Sequence, residues 1–291
     1  MKSMREILSN NEKSFSFEIF PPKTQEGEAQ LFKNLAELQK LNPHFISVTM
    51  GAMGSNQRNT LDIVEKIEKE GFTTGIAHLT CIGSEKEKIK ASLQEMKSKG
   101  IRHLLCLRGD LPPGNPHPFP ANGFKYANEL VEFIRIESGD YFTLGVAGYP
   151  EGHIEAKNLE DDLKSLKRKV DAGAEFVITQ LFFNNDDYFS FVDRARALGI
   201  QVPIIPGIMP ITNFSQLERF IKMCGAKIPE EMFQDLLKIK EDAEKVREYG
   251  IEYAVKQCQN LIQRGAPGLH FYILNQTGPI QKIYEALSLQ K

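Results

Sequence analysis

Short apolar runs alternate with longer amphipathic ones along this chain, and the alternation repeats eight times. The apolar runs fall at residues 15–20, 45–49, 75–79, 103–107, 142–147, 176–180, 203–206 and 269–274. The helical patterns fall at 26–41, 59–70, 84–99, 126–137, 156–172, 186–198, 214–223 and 280–287, after a short helical lead-in at the N-terminus. In residues 26–41, for example, Leu31, Leu35 and Leu38 recur at helical spacing. Strand followed by helix at this spacing is the pattern of crossover connections, which join parallel strands. Runs such as Leu104-Leu105-Cys106-Leu107 and Phe176-Val177-Ile178 are apolar on both faces, as strands covered on both sides must be. Eight units in 291 residues predict an α/β fold, a (β/α)8 TIM barrel forming one domain over residues 1–291. Residues 229–264 predict extra helices between the seventh and eighth units, two of them, broken near Tyr249-Gly250. A doubly wound open sheet is the competing architecture, but neither G-x-G-x-x-G nor a P-loop is present to supply its usual nucleotide site.

Charge narrows the partners. With 25% charged residues and a formal net charge of -2 there is no electrostatic footprint for nucleic acid, so small molecules are expected. Cys81, Cys106, Cys224 and Cys258 are scattered, without C-x-x-C spacing, which fits buried, reduced thiols. No signal-peptide pattern and no membrane-length apolar run is found, so a cytoplasmic protein without membrane contact is expected.

In a barrel of this kind chemistry collects at the C-terminal strand ends. Reading those ends in order gives Glu18, Thr49, His78, Arg108-Gly109-Asp110, Tyr149, Gln180, Gly207 and Tyr272. Glu18 lies in Phe15-Ser16-Phe17-Glu18-Ile19-Phe20-Pro21-Pro22, where alternation puts Phe15, Phe17 and Ile19 on one face and Ser16, Glu18 and Phe20 on the other. Large apolar neighbours predict a raised carboxyl pKa, as a general acid near neutral pH needs. A structural Glu paired with a buried cation remains the alternative. Arg108 offers a planar fork for phosphate or carboxylate and Asp110 accepts hydrogen bonds, although the two could simply pair across a barrel end. The proline-rich stretch 111–118 suits a binding loop or lid. Asp162 and Lys169 lie two helical turns apart and can address one ligand, whereas Lys167-Arg168-Lys169 could equally be a solvated face. His78 could be an ordinary satisfied histidine. His153 and Glu155 lack a third partner, so no metal is expected.

The segments Phe17-Glu18-Ile19-Phe20-Pro21-Pro22-Lys23, Val48-Thr49-Met50-Gly51-Ala52, His78-Leu79-Thr80-Cys81-Ile82, Leu107-Arg108-Gly109-Asp110, Tyr149-Pro150-Glu151 and His270-Phe271-Tyr272 carry a resemblance. So do Ile178-Thr179-Gln180, Ile205-Pro206-Gly207-Ile208 and the run from Lys167 through Val170 and Gly173 to Ala174. The chain resembles the bacterial methylenetetrahydrofolate reductases of the short form, which lack a regulatory domain. The resemblance implies an FAD-containing barrel that uses NADH or NADPH to reduce 5,10-methylenetetrahydrofolate to 5-methyltetrahydrofolate by a ping-pong cycle in one pocket, supplying methyl groups for methionine synthesis. No ribose-reading motif separates the two nucleotides. Self-association is implied by the family as well.

The resemblance also distributes roles. Glu18 is implied as the general acid for opening the folate's five-membered ring, and Asp110 as the residue beside flavin and pterin. FAD contacts are implied for Met50, Ala52, His78, Arg108, Gly109, Asp110, Ala127, Tyr149, His153, Asp162, Ser165, Arg168 and Lys169. Contacts to nicotinamide nucleotide or folate are implied for Thr49, Gln180, Gln216 and Phe220, and Gln276 occupies a folate-binding position where the enteric enzymes carry Arg. Glutamine has no positive charge to offer a glutamate tail. Two other functions stay open at this level: a flavin-free folate-binding barrel of the methyltransferase type, and a binding protein without catalysis.

Overall fold

The computed structural model describes residues 4–9, 13–50, 57–110 and 119–287. In chain order the elements are α1 (Met4–Ser9), β1 (Ser14–Ile19), α2 (Gln25–Gln39), β2 (Phe45–Val48), α3 (Gln57–Lys69), β3 (Thr74–Thr80), α4 (Lys86–Ser98), β4 (His103–Leu107), α5 (Ala127–Ser138) and β5 (Thr143–Gly148). They continue with α6 (Leu159–Asp171), β6 (Phe176–Leu181), α7 (Asn185–Ala197), β7 (Ile204–Ile208), α8 (Phe214–Cys224), α9 (Glu230–Ile239), α10 (Ala243–Gln263), β8 (Gly268–Tyr272) and α11 (Gly278–Ala286). The eight strands close into a barrel in sequence order, and β8 pairs in parallel with β1. This is the expected (β/α)8 barrel, with helices α9 and α10 inserted before β8.

Side chains sort into two main shells because strand residues alternate. Phe17 and Ile19 face outward into the layer shared with Leu31, Leu35 and Leu38 of α2, all buried. Each such leucine contributes about 2 kcal/mol of apolar transfer. Inside the cylinder Phe45, Ile76, Leu105, Phe176, Ile178 and Ile205 fill the lower lumen, and Met4 and Ile7 of α1 pack against them. Helices α8, α9 and α10 cover a third cluster that contains Leu181, Met209, Leu217, Leu236 and Val246. Side-chain caps start several helices: Thr24 accepts from Gly27 N, Asn158 from Asp161 N and Asp242 from Lys245 N.

The structure corrects two boundaries. The inserted helices break between Ile239 and Ala243, and α10 runs unbroken through Tyr249 and Gly250. The last strand ends at Tyr272, because Leu274 and Asn275 turn left-handed with φ of 49° and 60°.

Candidate active site

The lower lumen is apolar and the layer above it is polar. Ser16 and Glu18 of β1, Ser47 of β2, His78 of β3 and His270 of β8 meet there, all buried. Register brings them together, since Glu18 pairs with Ser47 on one side and Tyr272 on the other, and Ser16 pairs with His270. Ser16 Oγ lies 2.8 Å from His270 Nδ1, whose ring stacks on Phe45 with centroids 5.7 Å apart. His270 Nε2 is 3.4 Å from Ser47 Oγ and 3.6 Å from Glu18 Oε2. The Ser47 hydroxyl donates to Glu18 Oε2 at 3.5 Å, and His78 Nε2 lies 3.4 Å from the same oxygen without hydrogen-bond alignment. These separations exceed those of well-formed hydrogen bonds, so the carboxylate is held more by charge than by directed contacts.

That environment overturns the expectation for Glu18. Its large apolar strand neighbours point the other way, and its own face is lined by hydroxyls and imidazoles. Burial pushes the Glu18 carboxyl up, but the His78 charge, together with the contact and charge of His270, outweighs it and brings it down to about 2. The pull requires charged imidazole, and burial drives the His270 ring toward its neutral form.

Around this centre the C-terminal rim carries most of the other predicted residues. Arg108 follows β4, and its guanidinium forms a bidentate pair with Glu155, Nη1 to Oε2 at 2.6 Å and Nη2 to Oε1 at 2.7 Å. Gly109 has φ of 89° and lies against Thr80 and Ile82, so a side chain there would be both strained and crowded. Asp110 is exposed. Met50 is buried, and its sulfur accepts from the Thr80 hydroxyl at 3.5 Å. Thr49 follows β2 and is tied by its carbonyl to the Thr60 hydroxyl at 2.7 Å. Tyr149 meets His153 edge-on at 4.7 Å, and burial pushes its hydroxyl well above the usual phenol range.

Helix α6 turns Asp162 and Lys169 inward together. Lys169 Nζ donates to the Ala147 carbonyl at 2.6 Å and lies 5.6 Å from the Tyr149 ring centre. Burial lowers the Lys169 ammonium to about 8 against the opposing pull of Asp162, and burial raises the Asp162 carboxyl. Arg168 points elsewhere. It is exposed and donates to Ser165 Oγ at 2.8 Å, so it stands apart from Lys169 although next to it in sequence. Ala127 opens α5, where Glu129 accepts from the Lys125 and Tyr126 amides.

Thr49 apart, the positions expected to meet nucleotide or folate belong to β6, α8 and the turn after β8. Gln180 is the penultimate residue of β6, its Oε1 accepting from Leu181 N, Gln216 is exposed on α8, and Phe220 is half-buried against the insertion cluster. Gln276 is exposed just beyond β8. Tyr272 reaches across the mouth, its hydroxyl donating to the Thr179 carbonyl at 2.6 Å, over Gly207, where a Cβ would fall 2.6 Å from the tyrosine ring. Ala52 and the proline-rich stretch 111–118 lie outside the described residues. Among the described residues no group of three or more His, Cys, Asp or Glu could hold a metal, and no helix is long and apolar enough to cross a membrane. Sequence reasoning missed Ser16, Ser47 and His270. The signal was present as polar residues at the inward positions of otherwise apolar strands, one or two steps from residues already singled out.

Residues 3–288 match the family model of methylenetetrahydrofolate reductase. The chain belongs to the methylenetetrahydrofolate reductase family. It is 41% identical over 261 residues to the 5,10-methylenetetrahydrofolate reductase of Escherichia coli K12, covering 90% of this chain and 86% of that one. It is 39% identical over 277 residues to methylenetetrahydrofolate reductase 1 of Schizosaccharomyces pombe, and 40% identical over 282 residues to methylenetetrahydrofolate reductase (NADH) 1 of Arabidopsis thaliana. Those alignments take in 95% and 94% of this chain but 46% and 48% of the relatives, so the chain spans about half the length of these longer family members. A solved structure of an uncharacterised Clostridium thermocellum protein that binds two copies of 5-methyl-5,6,7,8-tetrahydrofolic acid shares the fold. Its TM-score is 0.62 at 15% identity, with 98% of each chain covered.

Proposed function

We propose that the chain is an FAD-dependent reductase that converts 5,10-methylenetetrahydrofolate to 5-methyltetrahydrofolate at the expense of NADH or NADPH, in a ping-pong cycle. The observation that carries this reading is the position of Glu18. It is a buried carboxyl between the His78 and His270 imidazoles, facing the C-terminal mouth of a barrel whose rim also presents Arg108 and Lys169.

The residues present suit a flavin dinucleotide. His78 Nε2 is buried with no hydrogen-bond partner, as a donor awaiting a ligand atom would be. The Arg108 fork already holds an anion, the Glu155 carboxylate, in the bidentate form that phosphate also takes. Arg108 and Lys169 would hold the pyrophosphate side, Arg168 with Ser165 would meet the dinucleotide only where it extends past the outer face of α6, and Met50, Ala52, Gly109, Ala127, Tyr149, His153 and Asp162 would line the rest. When bound, FAD would supply the two-electron relay between nicotinamide and the folate's one-carbon unit.

Glu18 would deliver a proton to N10, which opens the five-membered ring and leaves an iminium at N5 as hydride acceptor. Its proton depends on its neighbours. With His270 neutral its charge no longer pulls on the carboxyl, and burial pushes Glu18 toward the acid form. Ser16 and Ser47 fix the His270 ring and so set which nitrogen faces Glu18. Asp110 would orient the pterin at the rim. Thr49, Gln180, Gln216 and Phe220 would receive nucleotide and folate in turn, and the neutral Gln276 would leave the charge of the glutamate tail to be met by a cation elsewhere.

The purified chain should show the visible absorption of oxidised flavin, bleach with NAD(P)H and recover with methylenetetrahydrofolate. Glu18→Gln should keep the bleaching near wild type and slow the recovery by about 10²–10⁴-fold. Equal losses in both halves would remove Glu18 from the acid role. Folate binding without NAD(P)H oxidation would favour a flavin-free barrel instead.

A further inference from the structure

Arg108 is fixed at its base and engaged at its tip. Its carbonyl accepts from Ile82 N at 2.8 Å, and its Nε donates to the Gly109 carbonyl at 3.2 Å. The two outer nitrogens are both spent on Glu155, at 2.6 and 2.7 Å. Glu155 comes from the turn between β5 and α6, where its own amide donates to His153 Nδ1 at 3.1 Å. Its carboxylate therefore covers the one face of the guanidinium that could grip a phosphate with two parallel hydrogen bonds.

An incoming dianion cannot share that face. Two phosphate oxygens would need the same donors, and the Glu155 carboxylate would sit beside them as a like charge. Asp110 adds its negative charge to the surroundings of the same arginine. The exchange is feasible because the glutamate is 44% exposed and returns to water when released.

We infer that Glu155 is an internal competitor for the Arg108 fork: it occupies the anion site of the ligand-free chain and must swing out when the cofactor's pyrophosphate binds, so that it sets the affinity of that site. The identity of the ligand rests on the FAD reading above, whereas the competition for the fork does not. Apparent affinity scales with the fraction of molecules whose fork is free, and a partly exposed pair occupies it only moderately. Removing the competing charge should tighten binding roughly two- to fivefold.

The test uses flavin-stripped protein with two probes, FAD followed by its fluorescence quenching and inorganic pyrophosphate followed by calorimetry. Glu155→Gln is expected to bind either probe roughly two- to fivefold more tightly than wild type, and R108A/E155Q no more tightly than R108A. A gain on pyrophosphate in a protein that binds no FAD would leave the competitor in place and defeat the flavin reading. Unchanged or weaker binding of both probes, a gain that survives without Arg108, or an FAD-bound crystal structure with the Arg108 to Glu155 pair intact would overturn the inference.

Discussion

Two buried imidazoles at opposite ends of the lumen illustrate how position in a strand decides what a residue does. His270 near the top is stacked and hydrogen-bonded, whereas His103 begins β4 with its Nδ1 unpartnered and its ring held neutral, burial lowering its pKa to about 4 against the pull of Glu175 and with help from Arg102. An unfolded histidine titrates near 6.5, so on acidification the unfolded chain takes up the proton first and the native state loses ground. Stability linked to His103 is thus complete above about pH 6.5 and falls by up to about 3 kcal/mol as pH drops to about 4. Chemical denaturation at neutral and acidic pH should show this slope in wild type and a shallower one in His103→Leu. At this scale the sequence was legible where alternation and strand ends are local, as for Glu18, His78 and Arg108. It was not legible for the state of the Glu18 proton, because Ser47, His78 and His270 reach that carboxyl from three other strands.

Helix α10 is where a local rule gave way to packing. Glycine usually weakens a helix interior, which is why a break at Gly250 was expected. The residue is instead a contact point: a Cβ there would lie 1.9 Å from the Ile211 carbonyl oxygen, so the helix can approach the loop after β7 only without a side chain. From that close position Gln257 donates to the Phe182 carbonyl at 2.9 Å and Tyr253 to the Phe183 carbonyl at 2.8 Å, tying the end of β6 beside Gln180. Gly250→Ala gains about 1 kcal/mol of helix propensity and loses more to the clash with backbone. A net destabilisation of about 1–3 kcal/mol is expected, read as a lower denaturant midpoint. Sequence periodicity located the insertion but could not see what its glycine faces.

For the whole molecule the decisive event is the meeting of β1 and β8. Beyond their last paired residues the seam is fastened by Asn275, whose side chain accepts from Phe20 N at 2.9 Å and donates to the Phe20 carbonyl at 3.0 Å, while its own carbonyl accepts from Asn34. Its φ of 60° suits asparagine better than residues without a short polar side chain. Asn275→Gly should cost about 1 kcal/mol through the lost hydrogen bonds, and Asn275→Ala about 2 kcal/mol because backbone strain is added. Thermal melts should therefore rank wild type above the glycine variant and the glycine variant above alanine. The eight repeating units made a closed cylinder readable from the sequence, yet which side chains closure would bring face to face was not, since no local pattern links Ser16 with His270. Those two lie 254 residues apart and touch only across this seam. A chain emerging from the ribosome consequently cannot assemble the Ser16, Glu18 and His270 cluster until β8 has been made. Fragments that stop short of β8 would keep Glu18 and His78 but lack His270, on a sheet with two open edges.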